Sequence, residues 1–302
     1  GTIFYLKVIS QLGAVILVLG LLLSTGIIAG QDANPLKQEV VTIEQGALDD
    51  IAFSPQNTSG EALWRLVCAS DAVNANFTKI ETALMDASIA LSETGIDGPN
   101  AREILSRLML TDSSAIDCGT IDSTGTVREV EPSSFESVKG ENLKNQEHIN
   151  NTINTGLYSG FHLIKAVEGV YAIDSEMPVF DRNGTLIGTV SFLFNNSQFF
   201  DNVLSPFQPG GNSKIWIARA DDATKLYDTD PSQILLNKSS QIYQNYPQLL
   251  ELSNRISMER TGYGTYEFLD QSHGETIRKG CYWTTIPNNG MQMRIILTLD
   301  LQ

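Results

Sequence analysis

The sequence lacks the motifs by which most enzymes and cofactor-binding proteins are recognised. Its three histidines, His148, His162 and His273, stand outside any HExxH, GxSxG or Cys–His signature. No GxGxxG or GxxxxGK[ST] loop is present, and the acidic residues do not follow EF-hand spacing. We therefore expect no enzymatic activity, no cofactor and no metal. An enzyme would require an acid–base pair that meets only in the folded chain.

Positive charge and cysteine are also scarce. The 302 residues contain 20 Lys and Arg against 35 Asp and Glu, a formal net charge of −15. Such a surface repels phosphate backbones, so nucleic acid is not an expected partner. The three cysteines, Cys68, Cys118 and Cys281, form no CxxC pattern, which argues against a zinc site. They fit either small buried side chains or a Cys68–Cys118 disulfide outside the cytoplasm.

One long stretch lacks charge altogether. The 18 residues from Leu12 to Ala29 carry no charged side chain, Lys7 precedes them and Asp32 is the first charge after them. As a helix they would rise about 27 Å, close to the thickness of a bilayer core. We therefore predict a signal peptide or transmembrane anchor over residues 1–30, and the sequence leaves both alternatives open. Six Asn-x-Ser/Thr sequons fit an exported glycoprotein.

A long amphipathic helix is predicted after this segment. Thr58 and Glu61 have capping-box spacing, and the helical pattern ends at Gly95. We assign residues 31–99 to a juxtamembrane segment and this helix. The three-to-four spacing of its apolar residues requires a packing partner, either the adjacent domain or a second copy in a homodimer. The apolar positions are Leu63, Val67, Val73, Phe77, Ile80, Leu84 and Leu91.

The rest of the chain predicts an α+β fold in which one module occurs twice. The first module, residues 100–206, has a hairpin around a turn at Asp122–Gly125, then a short helix and three antiparallel strands. After a linker rich in Pro and Gly, residues 212–302 repeat much of that order. Each module is expected to be an antiparallel sheet flanked by helices.

This order of elements, with several local strings, resembles the double Cache sensor domains, which are PAS-like and extracytoplasmic. The strings of the first module are Asp117–Gly125, Glu131–Pro132, Gly140–Leu143 and Pro178–Ser191. Those of the second module resemble a subfamily found in methanogenic archaea and some bacteria: Ile215–Ile217, Leu226–Asp230, Gly262–Tyr266 and Tyr282–Thr285. The resemblance implies a helix rising from the membrane, a membrane-distal module that binds the ligand and a membrane-proximal module that relays the change.

The resemblance also has departures at the expected ligand site. Amino-acid-binding members place an Arg and then an aromatic residue on the short helix, where this chain has Gln146 and His148. They also have an Asp near the end of the last distal strand, where this chain has about Leu193. The resemblance therefore does not imply an amino acid as the ligand.

Six residues of the first module are candidates for a ligand pocket, because strand alternation and the short helix direct them towards one place. Tyr171 and Asp174 differ in parity, so they face one side together only if the strand bulges or ends between them. The leading hypothesis is a binding module that senses a small organic ligand and signals through the membrane or a partner protein. The alternative is a surface structural or adhesion protein that uses the fold without a ligand. The candidates are Gln146, His148, Ser159, Phe161, Tyr171 and Asp174.

Overall fold

A computed structural model of the chain describes residues 3–11, 14–22, 58–166, 171–270 and 275–301. These residues belong to two compact units, Gly1–Ala62 and Leu63–Gln302. The first unit contains an antiparallel hairpin of β1, Ile3–Gln11, and β2, Ala14–Leu22.

The hairpin differs from the helix expected over Leu12–Ala29. A continuous run of Val, Ile and Leu suits a buried strand as well as a helix, and without polar positions its periodicity does not separate the two. None of the helices in the described ranges is both long enough and apolar enough to cross a bilayer. Residues 23–57 lie outside the described residues, so a signal peptide or anchor over residues 1–30 stays a prediction.

Helix α1, Thr58–Thr94, confirms the predicted long helix. It ends at Gly95, whose φ of +87° lets its N–H bond the Leu91 carbonyl at 2.8 Å. Its buried stripe includes Val73, Phe77 and Leu84, all with at most 1% exposure. Helix α2, Gly98–Met109, follows and has Pro99 in its first turn.

The first module is built on a five-stranded antiparallel sheet. Helix α3, Glu147–Thr155, precedes the third strand, and helix α4, Asn196–Leu204, follows the last. Helix α4 was not expected from the sequence. The strands are β3, Ala115–Asp122; β4, Val127–Glu131; β5, Phe161–Lys165; β6, Tyr171–Phe180; and β7, Leu186–Phe194, in the spatial order β4-β3-β7-β6-β5.

The second module repeats this topology. Its strands lie in the order β9-β8-β12-β11-β10, so counted from the start of each module both sheets run 2-1-5-4-3. Helices α5, Gln241–Asn245, and α6, Pro247–Met258, lie between its second and third strands. The strands are β8, Lys214–Arg219; β9, Lys225–Tyr227; β10, Gly262–Asp270; β11, Glu275–Ile286; and β12, Met293–Leu301. The fold class is therefore confirmed: α+β, with a long helix followed by two PAS-like modules.

The two modules meet at the start of β5. The Phe161 N–H donates to the Asn289 carbonyl at 3.0 Å, and the Met291 N–H donates to the Phe161 carbonyl at 2.8 Å. Gly160 and Gly290 have φ values of +78° and +88°, and a Cβ on Gly160 would lie 2.2 Å from the Gly290 nitrogen. The absence of side chains at these two positions permits the close approach.

Candidate functional site

Alternation along the strands divides the first sheet into an aromatic face and a polar face. On the aromatic face, Phe161 lies 4.3 Å from the Phe77 ring of α1, measured between centroids, and 6.1 Å from the Phe194 ring. On the polar face, the register aligns His162 of β5, Asp174 of β6, Leu193 of β7 and Asp117 of β3 in one row across four strands. The polar face is turned towards α3.

Helix α3 places an imidazole over this row. The helix is held by Ile149 and Ile153, which pack with Ile121 and Val127 of the sheet. On the same helix, His148 directs its Nε2 to Asp174 Oδ2 at 2.8 Å, and the two side chains are 4% and 6% exposed. The His148 ring also stacks on His162 at 5.4 Å with an interplanar angle of 26°. A hydrogen-bonded pair therefore joins the helix to the sheet inside the module.

A small cavity lies between α3 and the sheet. Its volume is about 60 Å³, room for about two water molecules. It adjoins a larger cleft of about 660 Å³, and both are lined by Leu143, Gln146 and Ile164. His148 and His162 line the cleft, whereas Asp174 lines the cavity. The polar walls of the cavity are formed by Asp117, Gln146, Asp174 and Ser191.

The site is rich in acceptors that the protein does not satisfy. Within the described residues, Gln146 Oε1, Asp174 Oδ1 and Glu176 Oε2 are buried without a hydrogen-bond partner. Burial, together with the nearby Asp174 charge, raises the pKa of Glu176 well above its usual range. Burial lowers the pKa of His162, although the Ser159 carbonyl on its Nε2 opposes this shift. Buried polar atoms without partners are costly, so these three mark a place where a ligand would supply the missing contacts.

Three of the six candidate residues come together at this site. Gln146 forms the N-cap of α3, His148 lies in its first turn and Asp174 faces them from β6. The structure brings these three to the same cavity and cleft. Their role in binding a ligand stays a prediction.

The other three candidates lie elsewhere. Phe161 has 0% exposure and belongs to the aromatic core, because β5 turns His162 rather than Phe161 towards the site. Tyr171 is 48% exposed at the start of β6, three residues from Asp174 and therefore of opposite parity. The Ser159 hydroxyl accepts from the Glu176 N–H at 3.2 Å and so fastens β6 instead of facing the cavity. None of the three lines the cavity or the cleft.

The structure adds four residues that were not predicted: His162, which lines the cleft, and Glu176, Asp117 and Ser191. Glu176 follows Asp174 by two residues on the same strand face, and this parity was the available signal for it. Asp117 and Ser191 come from β3 and β7, and both line the cavity. In the register, Asp117 and Asp174 pair with Leu193 from its two sides. Acidic groups therefore flank Leu193, the position at which the sequence analysis noted the absence of an Asp.

A second cavity, of about 270 Å³, lies in the second module. Lys214, Lys225 and Tyr243 contribute to its walls. The Lys225 ammonium bonds Asp228 at 2.8 Å and lies 4.7 Å from the centre of the Trp216 ring. Both lysines pair with one fully buried carboxylate, that of Asp228. In the described part of the chain, none of the buried side-chain polar atoms without a partner belongs to this cavity, so it has less need of a ligand than the first.

Comparison with known protein families finds a match to part of the chain. Residues 75–196 match the family described as the HK/GC/chemotaxis protein-like sensor domain. This segment contains most of α1, the whole first sheet and α3. No curated protein sequence matches the chain.

The chain is also similar in structure to extracellular sensor domains. It is 29% identical to an extracellular ligand-binding receptor from Desulfohalobium retbaense, with a TM-score of 0.66 over 81% of this chain and 40% of that one. It thus spans well under half of that receptor's length. The ligand-binding domain of the Pseudomonas aeruginosa amino acid chemoreceptor PctB, in complex with L-Arg, is 16% identical with a TM-score of 0.53, over 78% of this chain and 91% of that one.

A third structure shares the fold at similar distance. The ligand-binding domain of the Pseudomonas fluorescens chemoreceptor CtaA, in complex with L-serine, is 15% identical with a TM-score of 0.55, over 77% of this chain and 92% of that one. The family match and these structures establish similarity to extracellular ligand-binding sensor domains. The archaeal subfamily suggested by the strings of the second module stays a prediction.

Proposed function

We propose that this chain is an extracytoplasmic sensor module that captures a small ligand between α3 and the sheet of its first module. One observation carries the proposal: Gln146 Oε1 and Asp174 Oδ1 are unpartnered, buried acceptors at the same cavity, within the segment similar to sensor domains. The match to an extracellular sensor family supports the extracytoplasmic location. The module is expected to bind and signal, and not to act as an enzyme.

The chemistry of the walls defines the class of ligand. Asp117 and Asp174 supply carboxylates, and Gln146 and Ser191 add neutral polar groups. Within the described residues, no Lys or Arg side chain lines this cavity. The ligand therefore presents donors or positive charge to the sheet, since an anionic group would meet two carboxylates in a buried site. An amine or another small cationic molecule fits this requirement.

The dimensions of the cavity link binding to a conformational change. A volume of about 60 Å³ is below the roughly 300 Å³ of a typical ligand pocket. A ligand entering from the adjoining cleft must therefore displace the N-terminal turn of α3 and compete for the His148–Asp174 pair. A ligand biases such an equilibrium only by its differential affinity for the two arrangements, and these contacts provide that difference.

Strand β5 offers a route from the site to the second module. His162 faces the site, and the backbone of the preceding residue, Phe161, bonds Asn289 and Met291. We expect the change to pass along this strand to the second module, and from there to a membrane segment or a signalling partner. The membrane connection through residues 1–30 is part of the same proposal.

The proposal includes a homodimer through α1. Near its start, Leu63, Trp64 and Val67 are 49%, 66% and 47% exposed, and Met85 and Ile89 are exposed further along. Exposed apolar side chains on one helix favour pairing with a second copy. Light scattering of the full chain would measure this, with Trp64→Ser expected to shift the molecules towards monomer.

A thermal-shift panel on the full chain tests the sensor function. The probes are amines, amino acids, short carboxylates, purines and osmolytes. A ligand at 100 times its dissociation constant should raise stability by about 2.7 kcal/mol, which corresponds to several degrees. We expect amines to give shifts and simple carboxylates to give none. The prediction that the ligand is an amine would be wrong if only anionic compounds stabilised the protein.

The alternative is a structural or adhesion protein that uses the fold without a ligand. The observation that favours it is the small volume of the cavity, about 60 Å³. It predicts that no member of the panel shifts the melting temperature.

A further inference from the structure

Three buried side chains near α3 lie close enough together to hold a metal ion. The donor atoms of His148, Asp174 and Glu176, one from each, all lie within 4.8 Å of one another. The residues are 5%, 4% and 0% exposed. Asp174 and Glu176 project from the same face of β6, and His148 comes from α3. Helix α3 and strand β6 therefore bring one imidazole nitrogen and two carboxyl groups into one cluster.

The contacts of these side chains leave donor atoms available. Thr189 donates its hydroxyl to Glu176 Oε1, so that oxygen is satisfied and the carboxylate is oriented. The other oxygen, Oε2, has no partner, and neither has Asp174 Oδ1. In their ionised forms, these two buried groups with unsatisfied oxygens repel each other and lack solvation. A bound cation satisfies both oxygens at once and reverses the sign of the local potential.

We propose that His148, Asp174 and Glu176 bind a divalent transition-metal ion, with Zn²⁺ the preferred species. The inference rests on the proposed function, because it names a ligand of that same site. An imidazole nitrogen with two carboxylates suits Zn²⁺ and its neighbours, whereas Ca²⁺ and Mg²⁺ prefer oxygen donors throughout. Three protein ligands leave at least one coordination position for water or for a further ligand group. When the metal is bound, Nε2 of His148 coordinates it in place of the contact with Asp174.

Thr189 has a positioning role in this site. Its hydroxyl fixes the carboxylate of Glu176, and groups that orient metal ligands in this way typically contribute 10–100-fold to affinity. Replacing Thr189 by Val keeps the shape of the side chain and removes the hydroxyl. This variant probes the site without altering a ligand.

Calorimetric titration of the tag-free, chelator-treated full chain with ZnCl₂ tests the inference, with MnCl₂ and CaCl₂ in parallel. We expect one Zn²⁺ per chain, weaker Mn²⁺ binding and no saturable Ca²⁺ binding at this site. Asp174→Asn and Glu176→Gln should each weaken Zn²⁺ by at least about 100-fold, and Thr189→Val by roughly 10-fold. Glu147→Gln, which removes an exposed carboxylate from the same helix, is the control and should leave Zn²⁺ affinity unchanged. Circular dichroism checks that each variant is folded.

Two results would overturn the inference: no saturable Zn²⁺ binding, or binding that Asp174→Asn and Glu176→Gln leave unaltered. If one of these variants fails to fold, the Zn²⁺ affinities of the other variant and of Thr189→Val still test the inference. The organic panel is repeated on the metal-free protein. Organic hits without Zn²⁺ binding would retain the sensor function and reject the metal. Zn²⁺ binding without organic hits would leave the metal as the ligand that the site takes.

Discussion

The Nε2 atom of His148 and the Oδ2 atom of Asp174 lie 2.8 Å apart although 26 residues separate them in the chain. The pair is buried and spans from a helix to the middle of a sheet. Because apolar contacts also hold this helix in place, the polar pair contributes a contact that a ligand can replace. If the site binds a ligand as proposed, occupation of the site is coupled to the position of α3, which a purely apolar interface would not allow.

The contact between the modules depends on Gly160. Gly160→Ala would place a Cβ 2.2 Å from the Gly290 nitrogen and 2.3 Å from the Asn289 carbonyl carbon. Gly184 has the same φ, +78°, with nothing within 4 Å of the corresponding position, so Gly184→Ala is a matched control. Both variants should lose about 1 kcal/mol from backbone strain, and Gly160→Ala a further ~1–3 kcal/mol from the steric overlap.

Urea unfolding of the full chain, with a probe in each module, measures this difference. The Gly160→Ala variant should also unfold in two separated transitions if the contact unites the modules. Equal losses for the two variants would mean that the approach of Gly160 to Gly290 does not hold the modules together.

Phe161 and Tyr171 were predicted from the sequence to line the same pocket, and the structure assigns them opposite roles. Phe161→Ala should destabilise the protein by about 3–5 kcal/mol, because it removes a ring with 0% exposure from the aromatic core. Tyr171→Ala, at a position with 48% exposure, should change stability by no more than ~0.5 kcal/mol. Chemical denaturation measures both variants. A large loss for Tyr171→Ala would place that ring in a packed site instead.

Asp228 should control the acid stability of the second module. Burial raises the pKa of its carboxyl, but Lys225 and Lys214 more than offset this, so the net shift of the pKa is downwards. A carboxyl with a lowered pKa in the folded state stabilises the protein above its unfolded pKa of ~3.9. That stability is lost as the pH falls through the lower, folded value.

Asp228→Asn should therefore cost about 3 kcal/mol at neutral pH, since it leaves Lys225 buried without its counter-ion. Below pH 4 the difference from wild type should shrink. Melting temperatures between pH 2.5 and 7 measure this, with the exposed Glu141→Gln as control. A difference that stays constant with pH would show that the Asp228 charge does not contribute.

The order of elements could be predicted because local sequence patterns indicate each element. The periodicity of α1 and the Asp122–Gly125 turn each specify their own structure, and both were confirmed. Helix α4 was missed because no element was assigned between the last strand of the first module and the linker. Asn195 is in fact its N-cap, whose side chain accepts from the Gln198 N–H at 2.8 Å.

The site could be predicted only in part. Alternation shows that the side chains of a strand lie on two faces, but it does not show which face lines a ligand site. In β5 the cleft is lined by His162 and not by the predicted Phe161, because neighbouring residues of a strand face opposite sides. In β6, Asp174 was a predicted site residue. Glu176, two residues later, lies on the same face of the strand but was not predicted. The meeting of His148 with these carboxylates depends on how α3 packs on the sheet, for which no local motif exists.

The most direct test of the central claim combines the ligand panel with variants of the two modules. Wild type, Asp174→Asn, Tyr171→Ala and Lys225→Met would be screened by thermal shift against the same amines and, separately, ZnCl₂. The account predicts that a ligand stabilising wild type fails to stabilise Asp174→Asn but still stabilises Tyr171→Ala and Lys225→Met, each relative to its own ligand-free melting temperature. A ligand that stabilises Asp174→Asn as fully as wild type, and loses its effect with Lys225→Met, would contradict the account and place the binding site in the second module.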